Sequence, residues 1–569
     1  MRERLSRSQL VQTFSHVWPY MKPEWAMLLL AGAATLGLTV VELSVPIMIG
    51  MLLDSLLVEL RGQPGAESGT LNHRVIIGLL AGAALLRGYF LYQQRSLAGQ
   101  AGQRVTARMR SAVWSHLQRL PLEYTNRRGP GRLLVRFISD GKSVQRLVSR
   151  RLVQVVQDVL VVAGVLVALL FLNVRMGLAA ILVLPLVALV FWRLNPKLQQ
   201  ASRATRRRRS RLSAYLGQRI TGLSAIKAHG QHGREARRVE KLNRNIASRG
   251  ARQEKAGGKL LGASAGVVAL VTALALGLAV EEAAAGRLTA GSLVTFYALI
   301  GLLAPIFQRI TITDRTFQEA EISIQRMADI LAQEPESPED ENLPDLELDG
   351  GEVSFEGVSF EYPDGRRALD GVSFTARKGE LVAIEGPSGA GKSTLLELVP
   401  LFRKPAEGSI KIDGQDVTKV SLESLRARIG VVTPHTTLFD ATVFENVSYG
   451  ARDEDEEERI RSVARLAGVD EIVASLPDGW DTKLREGKRG LSQGQRLRVL
   501  LARALAADPS ILLLDDVDSV LDEETLRILS RQMTVIVTTN DASTIPADRV
   551  YELEDGQLAG DSSPELACA

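Results

Sequence analysis

The feature that most limits how this chain can fold is a set of apolar runs in its first half, at residues 25–53, 75–92, 152–172, 178–191, 260–280 and 293–307. A helix needs about 20 largely apolar residues to cross a bilayer, and only a helix or a closed barrel satisfies its backbone there without water. The runs predict six transmembrane helices. The fourth and sixth are short or interrupted, and also read as buried core helices. A chain that is 46% hydrophobic with a mean hydropathy of +0.05 is too apolar for an ordinary soluble multidomain protein. The basic, amphipathic N-terminus does not read as a secretory signal, because the first run is too long and more follow.

Charge in the connections predicts the orientation. Connections 94–151 and 195–255 are long and arginine-rich, with "RRRR" at 206–209, whereas "NVRMG" at 173–177 and "EEAAAGRLTAG" at 281–291 are short and nearly free of positive charge. The long connections and both termini are expected on the cytoplasmic side. Both long connections carry helical patterns, so the spanning helices should continue into the cytoplasm. The net charge of +4 and the pI of about 9.1 therefore express topology and give no reason to expect a nucleic-acid partner. The arginine run reads as a solvated face. Cys568 is the only cysteine, which excludes a disulfide framework and a cysteine metal site.

Glu42 and Arg87 fall inside apolar runs. Intramembrane charges mark a candidate substrate path, where the two would line or bridge a central cavity. They also read as interfacial groups that snorkel.

An acidic, proline-bearing stretch at 334–345 reads as a linker, giving a helical membrane domain at 1–333 and an α/β domain at 346–569. In the latter, strand-like "ELVAIE" leads into "GPSGAGKST" and then helical "LLELVPLF". This is a complete phosphate loop in its strand-loop-helix setting: Gly386, Pro387, Ser388, Gly389, Ala390, Gly391, Lys392, Ser393 and Thr394. Glycine permits the backbone turns whose N–H groups converge on phosphate at the positive end of a helix. Lys392 is expected to reach the β and γ phosphates of ATP, and Ser393 to hold Mg²⁺. The apolar strand "ILLLD" then delivers Asp515 to the same Mg²⁺.

Just upstream of that strand, "LSQGQRLRVLLARAL" at 491–505 resembles the signature of ATP-binding-cassette (ABC) proteins, and nearly the whole chain resembles a half-transporter of the exporter class. The resemblance implies that Tyr362 stacks on adenine. It also implies that Leu491, Ser492, Gln493, Gly494 and Gln495 cap a nucleotide held by a second subunit, and that Asp522 lies in a loop communicating between sites. Two cassettes then associate head to tail, each chain supplying half of each of two ATP sites.

Three positions depart from the family's pattern. The catalytic glutamate is replaced by Asp516, whose carboxylate is set back by roughly 1 Å, a misplacement able to cost about 10²-fold in rate. The switch histidine is replaced by Asn540, which forms hydrogen bonds but carries no imidazolium. The loop glutamine falls on Pro434, which has neither side-chain amide nor N–H. His435 reads as a solvated loop residue, and the stretch between Asp522 and Thr534 is shorter than is usual in the family.

The sequence thus predicts an ATP-driven exporter subunit whose own phosphate-loop half forms a degenerate site, while its signature completes the working site of a distinct half-transporter partner. The substrate, small or amphipathic, is unspecified. The rivals are a homodimeric exporter with slow ATPase and a membrane regulator gated by ATP without transport.

Overall fold

The structure, a computed structural model, describes residues 15–60, 72–181, 183–337, 343–434, 436–451, 457–484, 491–516 and 521–561. It divides into two compact units, residues 1–118 with 130–333 and residues 119–129 with 334–569. Residues 119–129 therefore group with the second unit rather than with the first 333 residues. The Glu336 N–H donates to the Arg119 carbonyl at 2.8 Å.

The first unit is helical. Its main elements are Trp25–Leu60, His73–Gln118, Val153–Leu172, Val183–Thr221, His232–Ala284 and Ala290–Leu331. Among the described residues four helices are long and apolar enough to cross a membrane, Ser15–Leu60, His73–Gln118, Phe137–Leu172 and His232–Ala284, and Ala290–Leu303 is a shorter apolar segment. The fourth predicted run lies in Val174–Ile181 and Val183–Thr221, with residue 182 outside the described residues, and Arg193 and Lys197 end its apolar part. At 1.5 Å per residue the 46 residues of His73–Gln118 extend about 69 Å, more than twice the hydrocarbon thickness, so this helix continues well past its apolar run.

Packing in this unit is tight where small residues permit it. A Cβ on Gly291 would lie 2.0 Å from the Gly50 carbonyl oxygen, and beside that contact Asp54 accepts from the Gly291 N–H at 2.7 Å and from the Thr289 hydroxyl at 2.6 Å. The two short connections are tied through Glu282, which pairs with Arg175 and Arg287, both at 2.8 Å, and accepts from Asn173 at 3.1 Å. Val165, Leu169, Phe296, Leu299 and Leu303 form the buried core.

The second unit is built on a six-stranded sheet in the order Gln557–Asp561, Arg549–Glu554, Leu381–Glu385, Thr534–Thr539, Ile511–Asp515, Ile429–Val432. Its last five strands run parallel. Parallel strands are covered on both faces, which is why they read as continuous aliphatic runs rather than alternating ones. Leu512, Leu513, Leu514, Val535 and Ile536 are fully buried, each such side chain contributing about 1.5–3 kcal/mol. A second sheet orders Arg367–Ala376, Val353–Glu361, Glu407–Ile412 and Gln415–Asp416. The registers Val432 with Leu514, Asp515 with Thr538 and Thr539 with Glu385 align the carboxyl ends of four neighbouring parallel strands. In open α/β sheets that edge is where ligands bind.

Candidate nucleotide site

Each strand end at this edge delivers one predicted group. Leu381–Glu385 leads into the phosphate loop. Gly389 and Gly391 have φ of +93° and +112°, a region that side chains rarely adopt. Added Cβ atoms would also collide with backbone oxygens, at 2.2 Å from Leu553 O for Gly386 and 2.4 Å from Ala368 O for Gly391. The loop geometry therefore requires glycine at these positions. Gly391 opens the helix Lys392–Leu398. Lys392 Nζ donates to the carbonyls of Gly386 and Pro387, the latter at 3.1 Å, and to Asn540 Oδ1 at 3.0 Å.

Ile511–Asp515 places Asp515, which is buried. Its Oδ1 accepts from Ser393 Oγ at 3.0 Å and from the Thr538 hydroxyl at 2.7 Å. Sequence reasoning missed Thr538, although the doublet "TT" ending an otherwise aliphatic strand is a visible signal. Among the described residues there is no group of three or more His, Cys, Asp or Glu able to hold a metal ion. The Ser393 and Asp515 oxygens therefore suit a divalent ion only if phosphate oxygens complete its shell.

Asp516, next in the chain, is exposed, with φ of +50°, a left-handed conformation that aspartate tolerates better than most residues. Its N–H is held by the Thr538 carbonyl at 3.1 Å and the Thr538 hydroxyl at 3.3 Å. Asn540 follows the strand Thr534–Thr539. Pro434 follows Ile429–Val432 in a turn closed by the Thr436 N–H on the Thr433 carbonyl at 3.1 Å. Second in such a turn is where proline's fixed φ is favoured and its missing N–H costs nothing. His435, Cys568 and residues 338–342 of the expected linker lie outside the described residues.

The Tyr362 hydroxyl lies 2.8 Å from Thr394 Oγ1. Guanidinium groups of Arg366 and Arg403 sit 4.6 and 4.8 Å from its ring centroid, neighbours that the sequence did not reveal. Leu491 and Ser492 precede the helix Gln493–Ala506. Ser492 caps it: Gln495 N donates to Ser492 Oγ at 3.2 Å, and Ser492 N donates to Gln495 Oε1 at 2.9 Å, a reciprocal pair that satisfies two otherwise orphaned donors. Further along, burial pushes the Arg503 guanidinium down from its ordinary pKa. It donates to the Asn446 carbonyl at 2.8 Å and the Thr437 carbonyl at 3.1 Å, fixing the signature helix to the segment after Pro434. Asp522 caps Glu523–Ser530, accepting from Thr525 N at 2.7 Å, and hydrogen bonds from Thr525 hold its carboxyl below the ordinary value.

In the first unit, Glu42 Oε1 and Arg87 Nη2 are 3.5 Å apart and both line a cavity of about 1450 Å³.

Helices of membrane-crossing length joined to a phosphate-loop sheet define a polytopic membrane ATPase. Residues 28–306 match the family described as ABC transporter transmembrane region, and residues 369–519 match the ABC transporter family. The ATP-dependent lipid A-core flippase of Cupriavidus metallidurans is 30% identical, the match spanning 97% of this chain and 93% of the relative. The protein of the same name from Ralstonia nicotianae is 29% identical over 96% and 92%, and an uncharacterized ABC transporter ATP-binding protein of Bacillus subtilis is 30% identical over 97% and 91%. Among solved structures, a bacterial Atm1-family ABC exporter with ATP bound superposes with a TM-score of 0.79 at 27% identity, covering 97% of this chain and 96% of that one. The chain belongs to the ABC transporter family. It is an exporter with a helical transmembrane domain followed by a nucleotide-binding domain, an ATPase-coupled transporter that binds ATP and resides as a multi-pass protein in the membrane.

Proposed function

We propose that this chain is one subunit of a heterodimeric exporter, and that its own phosphate-loop half retains ATP while turning it over poorly. The observation that carries this reading is the contrast at one sheet edge. Lys392 donates to Asn540 and Ser393 to Asp515, an arrangement that on this reading suits phosphate and Mg²⁺, whereas the family resemblance assigns Asp516, Asn540 and Pro434 to the positions of its glutamate, histidine and glutamine. In this proposal Tyr362 receives the adenine, the phosphate loop 386–394 the phosphates, and Ser393 and Asp515 the Mg²⁺. Residues 491–495 serve the partner's ATP, and Asp522 lies between the two sites. ATP supplies binding energy that closes paired cassettes, and turnover at the partner's site resets them.

A distinct partner follows, since a homodimer would carry the same substitutions in both sites. The proposed domain division is 1–333 for the membrane part, 334–345 for the linker and 346–569 for the cassette. The substrate is proposed to be amphipathic, in keeping with the lipid named for the flippase relatives.

A homodimeric exporter with slow ATPase is the second reading, favoured by the fact that position 516 still bears a carboxylate. Purification of the tagged chain from its native membrane, followed by intact-mass analysis of the complex, separates the two. A second half-transporter chain in equal amount supports the heterodimer, and two copies of this chain contradict it.

A further inference from the structure

The strand Thr534–Thr539 is buried at all six positions, and Val535, Ile536 and Val537 at its centre carry the aliphatic side chains that such burial calls for. Threonines at 534, 538 and 539 depart from that rule. Threonine and valine have nearly the same shape and suit a strand equally, but a hydroxyl taken out of water destabilises the fold unless it finds a partner. Valine would serve the packing, so each hydroxyl has another reason to be there. Two of them meet main-chain groups: Thr534 Oγ1 accepts from the Gly379 N–H at 3.3 Å, and Thr539 Oγ1 from the Asp541 N–H at 2.9 Å. Thr538 meets a carboxylate, donating to Asp515 Oδ1 at 2.7 Å.

The direction of that bond follows from the groups themselves. An ionised carboxylate only accepts, and a hydroxyl has one proton, so the Thr538 proton points at Asp515 while its oxygen keeps lone pairs for the Asp516 N–H at 3.3 Å. The same N–H reaches the Thr538 carbonyl at 3.1 Å. Thr538 is the register partner of Asp515 across the parallel pair, which puts the two side chains on one face of the sheet. One residue therefore holds both the carboxylate and the start of the turn after it, where φ at Asp516 is +50°.

Asp515 Oδ1 has a second contact, from Ser393 Oγ at 3.0 Å. Ser393 belongs with Asp515 to the set that would hold Mg²⁺, whereas Thr538 lies within the sheet, fully buried. A hydrogen bond from a group outside a metal's shell to a ligand inside it fixes that ligand's orientation, and its loss commonly lowers metal affinity by about 10–100-fold.

We propose that Thr538 is a positioning residue for the divalent ion: its hydroxyl holds the Asp515 carboxylate in the orientation that completes, with Ser393 and the phosphate oxygens of the nucleotide, the shell of the cation. The inference rests on the reading above in which Ser393 and Asp515 receive Mg²⁺.

The test uses the full chain in phosphatidylcholine nanodiscs with adenylyl imidodiphosphate, an ATP analogue that is not hydrolysed. Two quantities are read: affinity for the analogue in EDTA, and affinity for Mn²⁺ at saturating analogue, from the loss of the free-ion EPR signal with empty discs and analogue subtracted. Thr538→Val removes the hydroxyl and keeps the shape; Thr538→Ser keeps the hydroxyl and removes a methyl group. The expected result is a Mn²⁺ Kd weakened at least about 10-fold by valine and less than about 2-fold by serine, with affinity in EDTA within about 2-fold of wild type for both. A residue that only packs the sheet predicts the opposite order, since serine leaves a buried void. A valine variant within about 2-fold of wild type for Mn²⁺, or a serine variant as weak as the valine one, overturns the proposal. Should the valine variant fail to fold, Thr538→Cys, whose S–H is a weak donor of similar size, replaces it: a Mn²⁺ Kd weakened about 3-fold or more supports the proposal, and a smaller change overturns it. Wild type that binds no Mn²⁺ beyond the analogue's own defeats the assignment of the metal to Ser393 and Asp515, whereas wild type and valine variant that bind alike defeat the role of Thr538 alone. No turnover or partner chain enters this assay, so it can fail while the heterodimer reading stands, and the reverse.

Discussion

Within one sheet edge, two groups of residues a few ångströms apart have different relations to their chemistry. The phosphate loop and Asp515 are over-determined: Gly386 and Gly391 accept no Cβ because backbone oxygens lie 2.2 and 2.4 Å from where it would be, and Asp515 Oδ1 is held by two hydroxyls. Asp516, Asn540 and Pro434 are fitted to local structure instead. Pro434 occupies a turn position that suits proline, Asp516 a left-handed conformation that suits aspartate, and Asn540 accepts from Lys392 at 3.0 Å. In the proposed function the geometry that holds a nucleotide is kept, while the positions assigned to activating water carry residues that satisfy the fold. On the proposed reading, binding and turnover separate in one half-site, and the signature helix, capped by Ser492 and Gln495, belongs to the other.

That separation can be broken in order of effect. Ser492→Arg, placed in the partner's site, should lower the ATPase of the two-chain complex by about 10²-fold or more, the scale of losing donors aimed at a transition state. Turnover within 3-fold of wild type would mean that the signature does not serve the working site. Gly391→Ala forces a side chain into positive φ and onto a carbonyl, at a cost of about 1–3 kcal/mol, and should weaken retention of labelled ATP by at least 10-fold on a nucleotide-trapping assay. Lys392→Ala should also weaken retention, but leave turnover of the complex within about 3-fold, because the charge-assisted contact it removes belongs to the site that does not cycle. Smallest of all, Asp516→Ala should change turnover by less than about 2-fold. A loss matching that of Ser492→Arg would show Asp516 to be a working base.

What the sequence disclosed and what it hid differ for physical reasons. The phosphate loop, the strand to Asp515 and the signature were legible because a short, contiguous pattern specifies each backbone path. The apolar runs located helices, but residues 119–129 group with the second unit, since hydropathy reports solvent and not tertiary grouping. Thr538, Arg366, Arg403 and Arg503 were hidden because their roles depend on partners from 23 to 66 residues away or on a ring face. At the cavity, Gln94 and Gln157 flank or interrupt apolar runs, yet the hydrogen bond from Gln157 to Glu42 spans 115 residues and no periodicity encodes it.

The most direct measurement is Mg²⁺-ATPase turnover of this chain purified alone in lipid, beside the same chain with the half-transporter that accompanies it. The account predicts little turnover alone and full turnover in the pair. Comparable turnover in both would contradict it, making Asp516 a competent base and the exporter a homodimer.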